Sequence, residues 1–205
     1  MSIQHFTSAD IQSWERIYRA NFINCLSGFK SATLIGTTDA SEKPNLAIFS
    51  NIVHIGADPA LIGFINRPLE AAPHTLSNIK ATGIYTMNHI HSDFIKAAHQ
   101  TSAKYARGVS EFEKTGLTVE WKENIPVPFV GESRIKYVLE LEEIVPIKQN
   151  GTYFVIGKVD QIFIEEKLIA ADGFLQIENA GSICSLGIDG YYEPCLITRL
   201  PYAKP

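Results

Sequence analysis

The apolar positions at the start of the chain follow a helical period. They recur at three- and four-residue spacing, which predicts a surface helix that Ser8 or Asp10 caps and that runs to about Ala20. One stripe of this helix is expected to be buried against the rest of the domain. The residues that carry the pattern are Ile11, Trp14, Ile17 and Tyr18.

Short runs rich in β-branched and aromatic residues replace this pattern beyond the helix. Turn-forming residues divide and bound these runs, with Asp39-Ala40-Ser41 and Pro44 after the first run and Asp58-Pro59 before the last. Three strands with tight connections are therefore predicted. They are Ala32 to Thr37, Leu46 to Ile55 and Leu61 to Ile65.

The middle of the chain combines short helices with a strand. One helix is predicted from Thr75 to Lys80, with Thr75 as its cap and Gly83 ending it in a left-handed conformation. A strand from Ile84 to Asn88 follows. Another helix is expected around Phe94 to Thr101, inside a long polar connection of the kind that often carries a site.

Long strands dominate the last third of the chain. Between Arg134 and Pro146, apolar residues alternate with polar ones, which predicts one buried face. The Asn150-Gly151 pair predicts a tight hairpin between this strand and the next. Many short strands, few helices and no repeat predict a single mainly β domain over residues 1–205, built as an antiparallel barrel. The strands of this part are Leu117 to Trp121, Arg134 to Pro146 and Tyr153 to Glu165.

Composition and charge argue against several classes of protein. Hydrophobic residues make up 45% of the 205 residues and charged residues 20%, which is typical of a globular chain with its own core. The net charge is −4, and no run of Lys or Arg is present. Phosphate binding along a nucleic acid needs a clustered basic surface, so no nucleic-acid partner is expected.

The cysteines and the apolar runs predict a cytoplasmic protein. Cys25, Cys184 and Cys195 are an odd number, far apart and without Cys-x-x-Cys spacing, which favours reduced thiols over a disulfide framework or a zinc site. The first ten residues lack the pattern of a signal peptide. No apolar run approaches the roughly 18 residues of a membrane span, so no membrane partner is expected.

Several short fragments occur in a characteristic order. Asn45 to Asn51 and Asp58-Pro59 precede Thr75 to Ile79, which Thr82-Gly83 and Met87-Asn88 follow. With the later fragments Gly108 to Glu113 and Gly116-Leu117-Thr118, this order resembles the flavin reductase-like family. The resemblance covers roughly residues 30–165 and implies the FMN-binding split barrel, an antiparallel split β-barrel with a few short helices.

The resemblance also implies where the phosphate of FMN is bound. Thr75 offers a hydroxyl at a helix start, where backbone N–H groups and the helix dipole favour an anion. Arg67 adds a charge-assisted contact, and Asn78 lies one helical turn further along. The chain departs from the family pattern at Asp58-Pro59-Ala60, where Asp-Pro-Pro is usual, and in the loop from Arg67 to Ala72.

The resemblance places the end of one strand against the flavin ring. Phe49, Ser50 and Asn51 are expected to contact the isoalloxazine and its polar edge. Asn88, together with the loop around Ser102 and Tyr105, is expected to complete the wall. The catalytic residues stay unknown at this point, because hydride transfer to a flavin needs stacking and orientation more than an acid or base.

Each of these residues has a structural interpretation as well. Asn45 to Asn51 can be a core strand with polar ends, Thr75 only a helix cap, and Arg67 only a surface charge. These alternatives weaken when the fragments are taken together and in order, since a motif is a hypothesis that needs structural context.

The histidines suggest a rival site. His89 and His91 alternate on a strand and share a face, and Asp93 and His99 lie close by in sequence. A strand end that turns into a loop need not keep this geometry. We therefore predict no metal site.

The resemblance leaves three functions open. The first is an NAD(P)H:flavin oxidoreductase that uses FMN, takes electrons from NADH or NADPH and supplies a partner monooxygenase. The second is a non-catalytic FMN-binding or electron-transfer protein that a partner protein reduces, and the third is a split barrel that has lost its flavin. No Gly-x-Gly-x-x-Gly fingerprint is present for the nicotinamide nucleotide. Relatives are usually dimers, so a homodimer is expected.

Overall fold

The computed structural model describes residues 1–106 and 108–204. The helices are α1 (Ser8–Ser13), α2 (Arg16–Leu26), α3 (Pro73–Thr82), α4 (Ile95–Gln100) and α5 (Glu111–Thr115). The strands are β1 (Lys30–Ser31), β2 (Thr33–Thr38), β3 (Pro44–Phe49), β4 (Ile52–Ala57), β5 (Ala60–Asn66), β6 (Ile84–His89), β7 (Val119–Lys122), β8 (Ile125–Val130), β9 (Ile135–Ile147), β10 (Thr152–Ile164), β11 (Cys184–Leu186) and β12 (Gly190–Tyr192). Short 3₁₀ helices cover Ser92–Phe94 and Glu166–Leu168.

The central sheet has seven antiparallel strands in the order β3-β2-β6-β9-β10-β5-β4. Its two edge strands, β3 and β4, are consecutive in the chain and only Ser50 and Asn51 join them. Edge strands with so short a connection can meet only if the sheet curls round on itself. The carbonyl of Asn51 accepts a hydrogen bond from the Ile65 N–H at 3.1 Å, which ties this connection to β5. The predicted mainly β, antiparallel architecture is confirmed.

Strand β2 is buried on both faces and separates two hydrophobic cores. Ile35 packs inside the curled sheet with Phe64, Tyr85 and other residues, whereas its neighbour Leu34 packs in a second core with residues of α4 and α5. Because successive side chains of a strand point to opposite faces, one strand serves both cores. Strand β3 pairs with β2 along its whole length. Because β2 is held between the two cores, its position also fixes that of β3.

Strand β8 was not predicted because Pro126 and Pro128 alternate within it, and proline removes the donors that a central strand needs. Side chains of neighbouring strands donate hydrogen bonds to the carbonyl groups of β8 instead. Thr86 Oγ1 donates to the Pro128 carbonyl at 2.6 Å, and Thr38 Oγ1 donates to the Pro126 carbonyl at 3.2 Å. Gly36 permits this approach, since a Cβ there would lie 2.3 Å from the Pro128 oxygen.

The single N-terminal helix to Ala20 and its buried stripe were wrong. Trp14 is extended, and Glu15 starts a new helix by accepting a hydrogen bond from the Ile17 N–H at 2.8 Å. Ile17 is 65% exposed and Tyr18 is 53% exposed. The periodicity reflects aromatic rings that contact one another instead of the core: Phe6, Trp14, Tyr18 and Phe22.

Two further boundaries differ from the prediction. The predicted strand from Leu46 to Ile55 is two strands, because the apolar run conceals a sharp connection at Ser50 and Asn51. Helix α3 begins at Pro73, so Thr75 lies in its first turn and does not cap it; proline is favoured at this position because its φ is already helical. Gly83 ends α3 with a φ of 73°, as predicted.

The other predicted elements are present within a few residues. The Asn150-Gly151 hairpin joins β9 and β10, with Gly151 at a φ of 72°. The helix around Phe94 to Thr101 is a 3₁₀ turn followed by α4. Within the described residues, no helix combines the length and the apolarity needed to span a membrane.

Candidate functional site

A cavity of about 570 Å³ opens along β3, between the start of α3 and the loop that follows α4. This volume lies within the range of roughly 300–1,000 Å³ that is usual for cofactor sites. Five of the seven predicted site residues line it, namely Phe49, Ser50, Asn51, Arg67 and Thr75. Ser102 and Tyr105 of the predicted wall line it as well.

One end of the cavity suits an anion. Helix α3 begins here, and the first N–H groups of a helix have no partner within the helix. The side chain of Asn66 holds the preceding loop, because its Nδ2 donates to the Arg67 carbonyl at 2.7 Å and to the Ala72 carbonyl at 3.4 Å. Arg67 and Lys104 add positive charge to the lining. A phosphate would meet backbone donors, a helix dipole and the Arg67 guanidinium at this end.

The wall along β3 is apolar and then becomes polar. Ala47, Ile48 and Phe49 contribute the apolar surface, and Phe49 is fixed by an edge-to-face contact with Phe64 at 4.9 Å between ring centroids. Ser50 follows at the end of the strand. A flat aromatic ligand with a polar edge fits such a wall, because the apolar part excludes water and the polar end orients the ligand.

Asn78 and Asn88 lie outside the lining of this cavity among the described residues. Asn78 Nδ2 donates to Thr37 Oγ1 at 3.0 Å and lines a smaller, adjacent cavity. Asn88 is fully buried, and its side chain donates to the Leu34 carbonyl at 3.2 Å and accepts from the Val130 N–H at 3.0 Å. Asn88 therefore connects β2, β6 and β8, and its side chain holds these three strands together.

Sequence reasoning missed Glu111, a buried carboxyl group in the cavity lining. Its Oε2 accepts a hydrogen bond from the Leu46 N–H at 3.0 Å. Burial raises the pKa of Glu111, although that hydrogen bond acts in the opposite direction. An acidic residue in a short polar helix carries no sequence signal for such a contact, which joins positions 65 residues apart.

The tail of the chain reaches the rim of the cavity. Tyr191 in β12 and His99 in α4 both line it, and the Tyr191 hydroxyl lies 2.7 Å from His99 Nδ1. Burial, with a smaller effect from Asp189, raises the pKa of Tyr191. The phenol therefore stays neutral and can donate to the imidazole. This pair ties β12 to α4 within the lining of the cavity.

The histidines of the rival metal interpretation have separate partners. His89 Nδ1 lies 2.9 Å from Ser182 Oγ, and burial lowers the pKa of His89 to about 4. His91 Nε2 lies 3.0 Å from the Glu132 carbonyl, and its Nδ1 lies 3.3 Å from Asp93. In the described ranges, no three His, Cys, Asp or Glu side chains are grouped to hold a metal ion.

Comparison with known proteins assigns the fold and the family. A Shewanella frigidimarina split-barrel protein, described as a candidate flavin reductase, is 44% identical with a TM-score of 0.94, and the match covers 98% of this chain and 100% of that one. Nitrilotriacetate monooxygenase component B from Bacillus cereus is 19% identical with a TM-score of 0.84 over 98% and 100% of the two chains.

A sequence relative and a family model complete the comparison. An uncharacterized protein of Aquifex aeolicus is 26% identical over 60% of this chain, and the match spans 66% of that relative's length. The predicted antiparallel split barrel is confirmed by the structural matches. The model of the flavin reductase like domain matches residues 26–176, and the chain therefore belongs to the flavin reductase-like family.

Proposed function

We propose that the protein binds FMN in the 570 Å³ cavity and is an NAD(P)H:flavin oxidoreductase. The observation that carries this proposal is the cavity itself, which joins the N-terminus of α3 and Arg67 to the apolar wall of β3. A phosphate at one end and a flat ring along the other are the two parts of FMN that a protein must recognise. The family supports a flavin as the ligand.

Different residues of the cavity are proposed to bind the phosphate and the ring of FMN. The N–H groups at the start of α3 and the guanidinium of Arg67 hold the phosphate. Ala47 and Phe49, which share a face of β3, exclude water from one face of the ring, and Ser50 and Asn51 supply polar groups that orient its edge. Bound FMN supplies the hydride acceptor. No strong acid or base is required of the chain, because orientation and exclusion of water are the main contributions of the protein to hydride transfer.

The electron donor is proposed to be NADH or NADPH. It would enter on the side formed by the loop of residues 101–106 and by the His99–Tyr191 pair. The sequence has no Gly-x-Gly-x-x-Gly segment, so the donor is held without a Rossmann-type phosphate loop. A weak and transient donor complex follows from this arrangement.

The proposal includes a homodimer. The N-terminal helices and the tail expose large apolar side chains, and patches of this kind mark interfaces. Two-fold dimers are the commonest soluble oligomers. The large apolar side chains exposed in the helices, just after them and in the tail are Ile17, Ile23, Leu26, Phe29, Ile197 and Leu200.

The proposal also includes a cytoplasmic location and a partner monooxygenase. Cys25, Cys184 and Cys195 are free, as expected of a reducing compartment. The similarity to a monooxygenase component B supports an acceptor of that class.

The test is the oxidation of NADH and NADPH by the dialysed full chain, with and without added FMN. Oxidation that depends on FMN and saturates with it supports the reductase. Flavin that stays bound through gel filtration without any oxidation of either nucleotide would instead identify an electron-transfer protein that a partner protein reduces.

A further inference from the structure

Glu111 is an acidic residue buried in the lining of the 570 Å³ cavity, and the proposed flavin site gives it no role. It is 5% exposed, although acidic side chains are rarely buried to this extent unless they are paired. Its Oε2 accepts a hydrogen bond from the Leu46 N–H at 3.0 Å, and its own backbone N–H also bonds to the carboxyl group. These donors are uncharged, so they compensate a buried negative charge only in part.

The carboxyl group of Glu111 lies beside the start of α3. Ser110, the residue before Glu111, lines a cavity of about 140 Å³ together with Asn45 and His74. His74 is the second residue of α3 and also lines the 570 Å³ cavity. Burial raises the pKa of Glu111, whereas its backbone hydrogen bonds and, to a smaller extent, the charge of His74 lower it. Glu111 therefore interacts with the helix start at which the phosphate of FMN is proposed to bind.

The elements around Glu111 carry other ionisable groups that a titration must separate from it. Helix α5 packs against β3, which has no ionisable side chain, and against α4. Besides Glu111, the ionisable side chains of the two helices are exposed: Lys96, His99, Glu113 and Lys114. Further ionisable residues of the cavity lining are Arg67, Glu70, Lys104, Tyr105 and Tyr191. His74 is the neighbour whose charge acts on Glu111, so it needs a variant of its own.

A phosphate bound at the start of α3 would disfavour a charge on Glu111. A phosphate monoester carries a charge of about −1.5 to −2 at pH 7, because its second pKa is about 6. Two negative groups in a partly dry cavity repel each other, and the buried carboxylate can remove this repulsion by binding a proton. The neutral carboxyl group still has an oxygen that accepts the Leu46 N–H.

We propose that Glu111 makes the binding of FMN proton-linked, so that the carboxylate of the free protein takes up a proton from solvent as the phosphate binds. The inference rests on the proposed flavin site. FMN binds best to the form of the protein in which Glu111 is neutral. Its affinity is therefore highest at low pH and falls as the pH rises through the range in which Glu111 of the free protein ionises. Riboflavin, which has no phosphate, binds without this proton.

The experiment is calorimetric titration of the dialysed full chain with FMN and with riboflavin, at several pH values and in buffers that differ in their enthalpy of ionisation. The dependence of the measured heat on the buffer gives the number of protons taken up per flavin. Glu111→Gln keeps an acceptor for the Leu46 N–H but cannot ionise. The matched control is Glu113→Gln, an exposed position of α5 outside the lining of the 570 Å³ cavity in the described part of the chain. His74→Gln removes the neighbouring titratable group.

The wild type is expected to take up roughly one proton per FMN at a pH at which Glu111 of the free protein is ionised. From low to high pH, its FMN affinity relative to that of Glu111→Gln should fall about tenfold, as expected if bound FMN makes Glu111 a tenfold weaker acid. Titration of the phosphate is common to both proteins and cancels in this ratio. Glu113→Gln should behave as the wild type does. In the His74→Gln background, Glu111→Gln should still lower the proton uptake.

Other outcomes overturn the inference in distinguishable ways. If FMN binds to the wild type without proton uptake, or if Glu111→Gln takes up as many protons as the wild type, Glu111 is not the linked group and the flavin site stands. Equal proton uptake with FMN and with riboflavin overturns the inference on the wild type alone, even if circular dichroism shows that Glu111→Gln is not folded. If FMN does not bind at any pH, the proposed function itself fails and the inference fails with it.

Discussion

The protein uses polar side chains differently in two regions of the same barrel. Around Asn88, each polar contact ends on another group of the chain: the amide bonds to Leu34, Thr86 and Val130. Along the 570 Å³ cavity, the start of α3 and the side chains of Ser50 and Arg67 face open space instead. Both regions carry fragments that resemble the family. The fragments alone therefore do not separate residues that stabilise the fold from residues that are positioned to bind a ligand.

The largest expected effect is on stability, in the closed region. Asn88→Leu keeps the size of the side chain but leaves the Val130 N–H and the Leu34 carbonyl buried without their partner. The free energy of unfolding should fall by roughly 2–5 kcal/mol. Denaturant unfolding measures this change.

The matched control is Asn179→Leu at an exposed amide, which should change the free energy of unfolding by no more than about 0.5 kcal/mol. Without denaturant, and at a temperature at which Asn88→Leu is folded, the Asn88→Leu variant should bind FMN as the wild type does. A selective loss of FMN binding would instead place Asn88 in the site.

The second effect is on binding, in the open region. Arg67→Ala removes the proposed charge-assisted contact to the phosphate and should weaken FMN binding about tenfold, while riboflavin, which has no phosphate, should bind as before. The unfolding midpoint should not move, because Arg67 is exposed. Flavin fluorescence titration measures both affinities, with Arg16→Ala as the control for the loss of a surface charge. Equal losses for FMN and riboflavin would contradict a phosphate contact.

A smaller effect is expected at the rim. Tyr191→Phe removes the hydrogen bond to His99 and should weaken FMN binding by about 0.5–1.5 kcal/mol, since the fixed side of the cavity loosens. The same titration measures it. Tyr202→Phe, at an exposed tyrosine of the tail, provides the control. An unchanged affinity in Tyr191→Phe would show that the tail does not shape the site.

The smallest effect is a change in the pH dependence of stability. Burial raises the folded-state pKa of Glu111 above its ordinary value, so the protonated carboxyl is favoured in the folded protein. The stability that this group contributes is therefore present at low pH and is lost as the pH rises through the raised pKa.

Glu111→Gln keeps an acceptor for the Leu46 N–H and removes the titration. Its free energy of unfolding relative to the wild type should increase as the pH is raised from about 4.5 upward. Urea unfolding at several pH values measures this difference. A difference between the two proteins that stays constant with pH would contradict the burial of an ionisable Glu111.

The sequence predicted local features better than distant contacts. The order of the fragments located Phe49, Ser50 and Asn51 at a strand end, and the turn chemistry of Asn150-Gly151 located a hairpin, because each depends on neighbouring residues. Glu111 and Tyr191 were missed since their partners lie far away in the chain. The helical period at Trp14 and Tyr18 was interpreted as a core stripe, although it brings aromatic rings together on the surface.

The most direct test of the central claim is the visible absorption spectrum of the purified chain with one equivalent of FMN under anaerobic conditions, recorded before and after NADH or NADPH is added. We expect flavin bands that shift on binding and then bleach within the time of catalytic turnover. A spectrum identical to that of free FMN, with no flavin retained on the protein, would contradict it.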